Sequence, residues 1–171
     1  MLDKKIAELL NDQINKEFYS AYLYLDFANY YADEGLEGFA HWYEVQAQEE
    51  RDHALMMRTY LIDNGVRVTF SEVAKPDKVF KNHLDPLEAG FEHEKYVTSL
   101  ISTIYAAAFE KKDFKTMQFL DWFVKEQGEE EKNAEDLIKK MKLFGGDSKG
   151  LYMLNQELAA RVYTPATAAN A

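Results

Sequence analysis

Apolar residues recur every three or four positions through most of the chain, the period of helices that bury one face. Over about Asp3 to Asp33 one stripe reads Ile6, Leu10, Gln13, Glu17, Ala21, Tyr24, Ala28 and Tyr31, and Gly35 and Gly38 bracket a turn. The next stripe reads Phe39, Tyr43, Gln46, Ala47, Glu50, Ala54, Met57 and Leu61, and Asn64-Gly65 closes it as a left-handed cap. A third begins at Asp85, an N-cap candidate followed by Pro86, and reads Leu87, Phe91, Glu94, Thr98, Ile101, Tyr105 and Ala108. After a turn near Asp113 the fourth reads Phe119, Phe123, Gln127, Glu130, Ala134, Leu137 and Met141, and Gly145-Gly146 stops it. A short fifth helix is expected over Ser148 to Ala160, with Leu151, Leu154 and Leu158 on one side.

The segment from Val66 to Leu84 breaks this pattern. Val66-Arg67-Val68-Thr69-Phe70 reads as extended and Pro76 interrupts any helix. A connection of that length is long for a compact domain. Extended at up to ~3.3 Å per residue, it could run the length of a neighbouring helix. The expectation is an all-α four-helix bundle with one long crossover and a short fifth C-terminal helix. Residues 1–160 would form a single domain and 161–171 a flexible tail of mostly small residues.

Each long stripe carries one glutamate where an apolar residue belongs: Glu17, Glu50, Glu94 and Glu130. An unpaired carboxylate inside a protein is costly, so four of them call for cations. Glu17 lies 18 residues before Gly35 and Glu50 lies 15 after it. In an antiparallel hairpin the two differ in height by only ~4.5 Å. Glu94 and Glu130 lie 19 before and 17 after Asp113, a mismatch of ~3 Å by the same rise. Glu50-Arg51-Asp52-His53 is a Glu-x-x-His pair, which puts a carboxylate and an imidazole on one helix face. Alone that pair is a weak signal; its conjunction with the four matched acids and the long crossover is what points to a metal site. A carboxylate-rich set with one imidazole and no thiolate suits iron or manganese, with zinc as a substitute.

Composition narrows the function further. The formal net charge of −10 argues against nucleic-acid binding and favours cations. No apolar run is long enough to span a membrane. The N-terminal MLDKKIAELLNDQ lacks the apolar core of a secretory signal. With no cysteine there is neither a disulfide framework nor a thiolate site, which fits a cytoplasmic location.

The matching segments are Asn11 to Tyr24, Gln48-Glu49-Glu50-Arg51-Asp52-His53, Phe119 to Gln127, and Glu129-Glu130-Glu131. Together they resemble the ferritin-like di-iron carboxylate bundle, and more narrowly the bacterial and archaeal non-haem ferritins. The likeness covers about residues 1–160. It implies an iron-storage protein with ferroxidase activity, oxidising Fe(II) with O₂ and keeping the ferric mineral inside a homo-oligomeric shell of 24 subunits. By the same resemblance Glu17, Glu50 and His53 hold a first iron. Glu50 bridges to a second, held with Glu94 and Glu130, with Gln127 close by. Glu49, Glu126, Glu129 and Glu130 correspond to a third iron site, and Tyr24 to an electron donor beside the centre. Haem is not expected, because Arg51 stands where bacterioferritins carry the haem-ligating methionine. Two rivals remain: a di-iron peroxidase or oxidase on the same bundle, and a metal-free structural bundle.

Overall fold

A computed structural model describes residues 2–166. Five helices follow in order: α1 Lys4–Asp33, α2 Glu37–Asp63, α3 Asp85–Lys111, α4 Phe114–Phe144 and α5 Ser148–Leu158. There is no strand among the described residues. Asp3 starts α1 by accepting from the Lys5 N–H, and Asp113 starts α4 by accepting from Thr116. Gly65, with φ of 73°, follows α2 as the left-handed residue expected there. Helix α3 differs by one residue from its expected start. Asp85 is its first residue rather than its cap, and the preceding turn is tied by Asn82, whose side chain accepts from the Leu84 N–H at 2.9 Å. Helix α5 ends at Leu158, two residues before the expected end.

The α1–α2 and α3–α4 hairpins pack together, and the crossover connects them along α1. Asn11 exchanges hydrogen bonds with the Thr69 backbone at 2.9 and 3.0 Å, and Phe80 packs edge-on to Phe27 and Tyr30. These contacts satisfy backbone groups of a segment that has no ladder of its own.

The interior has two apolar clusters. One gathers Tyr24, Phe27, Tyr31, Phe39, Tyr43, Leu87 and Leu154; the other gathers Ile6, Leu10, Ile14, Met57, Leu61, Ile101 and Phe123. Along every long helix the buried glutamate falls between residues of the two clusters. A fully buried Leu, Ile or Phe contributes about 1.5–3 kcal/mol, so the clusters above and below can offset a polar layer between them.

Helix α5 is docked by a cap that local sequence does not reveal. The first residue before α2, Leu36, offers no side-chain cap. Asn155 of α5 supplies one, its Oδ1 accepting from the Gly38 and Phe39 N–H groups at 2.8 and 3.2 Å. The approach needs a glycine, since a Cβ on Gly38 would stand 1.7 Å from the Asn155 carbonyl oxygen. Gly38→Ala is therefore expected to push α5 off α2 and to cost about 1–3 kcal/mol, as overpacking does. Thermal unfolding followed by circular dichroism checks this, and an unchanged midpoint would contradict such close docking.

Residues 161–166, expected to begin a flexible tail, instead lie against α2, because their charged and aromatic side chains find partners there. The Arg161 guanidinium stacks over Trp42 at 4.1 Å from the ring centre and pairs with Glu49. The Arg161 carbonyl accepts from His41, and both the Tyr163 hydroxyl and the Ala166 N–H donate to Asp52. The rest of the expected tail, residues 167–171, lies outside the described residues.

Candidate metal centre

The four helices deliver their glutamates to one level. Glu17, Glu50, Glu94 and Glu130 are all buried, at 1, 2, 3 and 5% exposure, which no solvated charge run would show. Their only ion-pair partner among the described residues is His53, whose Nδ1 lies 3.4 Å from Glu50 Oε2. Glu17, Glu50 and His53 present one ligand atom each within 4.8 Å of one another, the only such group among the described residues.

The second half of the layer is tied up by hydrogen bonds. Tyr24 donates its hydroxyl hydrogen bond to Glu94 Oε1, and Gln127 Nε2 donates to Glu94 Oε2 at 3.1 Å. Gln46 Nε2 donates to Glu130 Oε2 at 2.9 Å and to Glu50 Oε1 at 3.0 Å. Gln13 Nε2 donates to Glu17 Oε1 at 2.9 Å. Gln13 and Gln46 each precede their glutamate by one helical turn on the same stripe. Their sequence signal was therefore the same as that of the acids, a polar residue on a core face.

Burial sets the charge state. Glu17 is pushed up to about 8, first by desolvation and then by repulsion from Glu50. Glu94 is pushed up to about 8 for the same two reasons. Glu130 is held well above its ordinary range by burial and then by Glu94. Glu50 differs: burial would raise it, but the hydrogen bond and charge of His53 outweigh burial and hold it below its ordinary value. For His53 burial favours the neutral ring, yet the hydrogen bond and charge of Glu50 prevail and push it up to about 10. Near neutral pH the metal-free layer is thus a Glu50–His53 ion pair among protonated acids. Tyr24 is held well above its ordinary range by burial and then by Glu94, so it stays a phenol.

Glu17 Oε2, Gln46 Oε1 and His53 Nε2 are buried without a hydrogen-bond partner. Unsatisfied buried atoms are uncommon and ask for an explanation. The two oxygens are acceptors that a cation between the helices would satisfy. All-oxygen and imidazole donors without thiolate suit iron, manganese or zinc.

The expected third-site residues are not gathered in the same way. Glu49 is half-buried and its carboxylate is taken by Arg161. Burial raises it above its ordinary value more than Arg161 lowers it. Glu126 is half-buried and is raised by desolvation. Glu129 is exposed and pairs with Lys125 at 3.5 Å. The resemblance alone gave no hint of Arg161, which lies 112 residues from its partner.

Fold and site together define a four-helix bundle with a buried carboxylate–histidine layer, of which Glu17, Glu50 and His53 could hold a metal ion. A family profile described as "Ferritin-like domain" matches residues 7–144. A bacterial non-heme ferritin from Campylobacter jejuni is 40% identical over 156 residues, covering 91% of this chain and 93% of that one. A probable bacterial non-heme ferritin-like protein of Haemophilus influenzae is 38% identical over 158 residues, covering 92% and 96%. Among solved structures, an open-pore ferritin from the hyperthermophilic archaeon Archaeoglobus fulgidus superposes with a TM-score of 0.92 at 42% identity, over 95% of this chain and 100% of that one. This chain belongs to the ferritin-like family, with the non-haem ferritins.

Proposed function

We propose that this protein oxidises Fe(II) with O₂ at a pair of adjacent sites and stores the ferric product inside a closed homo-oligomeric shell. One observation carries this reading: four buried carboxyl groups, one from each long helix, share a layer whose single ion-pair partner among the described residues is His53. Substrate iron supplies the missing positive charge. Glu17, Glu50 and His53 hold one Fe(II), and Glu94 and Glu130 hold the other with Glu50 between them. Gln127 orients Glu94. Each Fe(II) gives one electron to O₂, which takes up two protons and leaves as hydrogen peroxide. Tyr24, whose hydroxyl donates to Glu94, stands beside the pair as a candidate electron donor.

Exposed apolar residues around α5 support assembly with other copies, for which the resemblance to the non-haem ferritins implies a shell of 24 subunits. Leu143, Phe144, Tyr152 and Met153, around α5, are 75, 51, 63 and 62% exposed. Apolar residues gathered at one end of a subunit suit burial against other copies. No described helix is long and apolar enough to cross a membrane. We place the protein in the cytoplasm, where Fe(II) is available. Size-exclusion chromatography after aerobic Fe(II) loading tests the reading. A particle of several hundred kilodaltons co-eluting with iron is expected; a monomer without iron would contradict it, and would favour a small di-iron oxidase or a metal-free bundle.

A third iron on Glu49, Glu126, Glu129 and Glu130 requires Arg161 to release Glu49. Arg161→Met keeps an apolar stem over Trp42 but removes the competing charge. It is expected to tighten binding of a third Zn(II) about tenfold, the worth of a hydrogen bond between charged groups. Calorimetric titration measures this, and adding Glu49→Gln should cancel the gain. An unchanged third affinity in Arg161→Met would mean that Arg161 does not compete there.

A further inference from the structure

Gln46 is 1% exposed and sits inside the polar layer without being one of the expected ligands. Its amide nitrogen donates to two carboxylates on different helices: Glu50 Oε1 on its own α2, at 3.0 Å, and Glu130 Oε2 on α4, at 2.9 Å. Both N–H hydrogens are therefore used. Both of its partners are carboxylate oxygens, and the Gln46 carbonyl oxygen meets neither. Each acid gives one oxygen to the amide and keeps the other. Glu50 Oε2 faces His53, and Glu130 Oε1 has no partner from Gln46. Beside this clasp is a small cavity of about 10 Å³, lined by Gln46, Glu94, Glu130, Tyr24, Tyr43 and Gly90 among others. The Gln46 carbonyl oxygen has no hydrogen-bond partner. A buried glutamine with an orphaned oxygen is a poor choice for packing alone.

We propose that Gln46 is a positioning residue for the second metal ion: its single amide clasps Glu130 to Glu50 across two helices and leaves Glu130 Oε1 free for that ion. The inference rests on the two-ion reading above. The first ion's set, Glu17, Glu50 and His53, includes only one clasped acid and is further fixed by Gln13 and by the Glu50–His53 contact. Loss of the clasp should therefore fall chiefly on the second ion. Outer-shell partners of metal ligands are typically worth about 10–100-fold in affinity.

The test is anaerobic Co(II) titration of the assembled protein, followed by calorimetry and by the visible Co(II) spectrum, for wild type, Gln46→Met and Gln46→Asn. Methionine keeps length and volume but donates nothing, and asparagine is one methylene too short to reach both acids. In both variants the second Co(II) is expected to bind about 10–100-fold more weakly, with an altered spectrum, while the first stays within a few-fold of wild type. A packing role would leave Gln46→Met like wild type. Equal weakening of both ions, or of neither, overturns the proposal while wild type still binds two. If wild type binds a single Co(II) per chain, the two-ion reading fails and the proposal with it. Where Gln46→Met does not fold, Gln46→Asn carries the same comparison.

Discussion

Glu50→Ala is expected to slow the fast phase of Fe(II) oxidation by more than about a hundredfold, the upper end of what even an indirect partner of a metal ion contributes. Glu50 is the one acid of the layer held ionised without metal, and its partner His53 is a candidate ligand for the same ion. It also lies between the two halves of the layer, in contact with His53 on one side and with the Gln46 clasp on the other. Its loss would take from both ions the ligand proposed to be shared between them, and leaves His53 without a counter-charge. The metal-free variant should also be less stable than wild type, because removing one partner of a buried ion pair leaves His53 without its counter-charge. Stopped-flow absorbance after mixing with oxygenated Fe(II) measures the rate. An initial rate like that of wild type would remove Glu50 from the centre.

The second large effect is on protons. Glu17 and Glu94, at about 8, and the more strongly raised Glu130 are protonated at neutral pH, and His53, at about 10, is charged. Ligands must lose those protons, so binding two divalent ions at pH 7 should release roughly two to four protons per chain. Calorimetry of Zn(II) binding in buffers of different ionisation enthalpy reads that number, and a buffer-independent heat would mean no release. The same groups set the stability of the metal-free protein. Glu17 and Glu94 are raised from 4.5 to about 8, so the folded state holds more protons than the unfolded between those values. Their contribution is present below about 4.5 and is lost as pH rises to about 8. His53, raised from 6.5 to about 10, adds a loss between those values. Glu50 is lowered, so its contribution disappears only on acidification below 4.5. From these groups the metal-free midpoint should fall between pH 6 and 9, and saturating metal should reverse that fall. Parallel thermal melts with and without Zn(II) check it; a metal-free midpoint rising over that interval would contradict the charge states assigned here.

Much of this was legible in the chain because it is written in the helical period. The stripes interrupted by Glu17, Glu50, Glu94 and Glu130 located the polar layer, and the distances from Gly35 and Asp113 matched their heights. Asn64-Gly65, Pro76 and the length of the intervening segment exposed the crossover. The glutamines were visible on the same stripes, but that one amide of Gln46 would serve two acids depends on how α2 faces α4, 84 residues away. The Asn155 cap on α2, the Arg161–Glu49 pair and the Tyr163–Asp52 bond join the end of the chain to α2 over more than a hundred residues. No local pattern encodes such contacts. For the same reason the contacts of residues 161–166 with α2, the pairing of Arg161 with Glu49 among them, could not be read from the sequence.

The central claim is that the layer takes two iron ions side by side. It is tested most directly by anomalous diffraction, above and below the iron edge, from crystals of the assembled protein loaded anaerobically with Fe(II). Two peaks per chain are expected, one among Glu17, Glu50 and His53 and one among Glu50, Glu94 and Glu130. A single peak in the layer, or iron bound only at surface acids such as Glu129, would contradict the account.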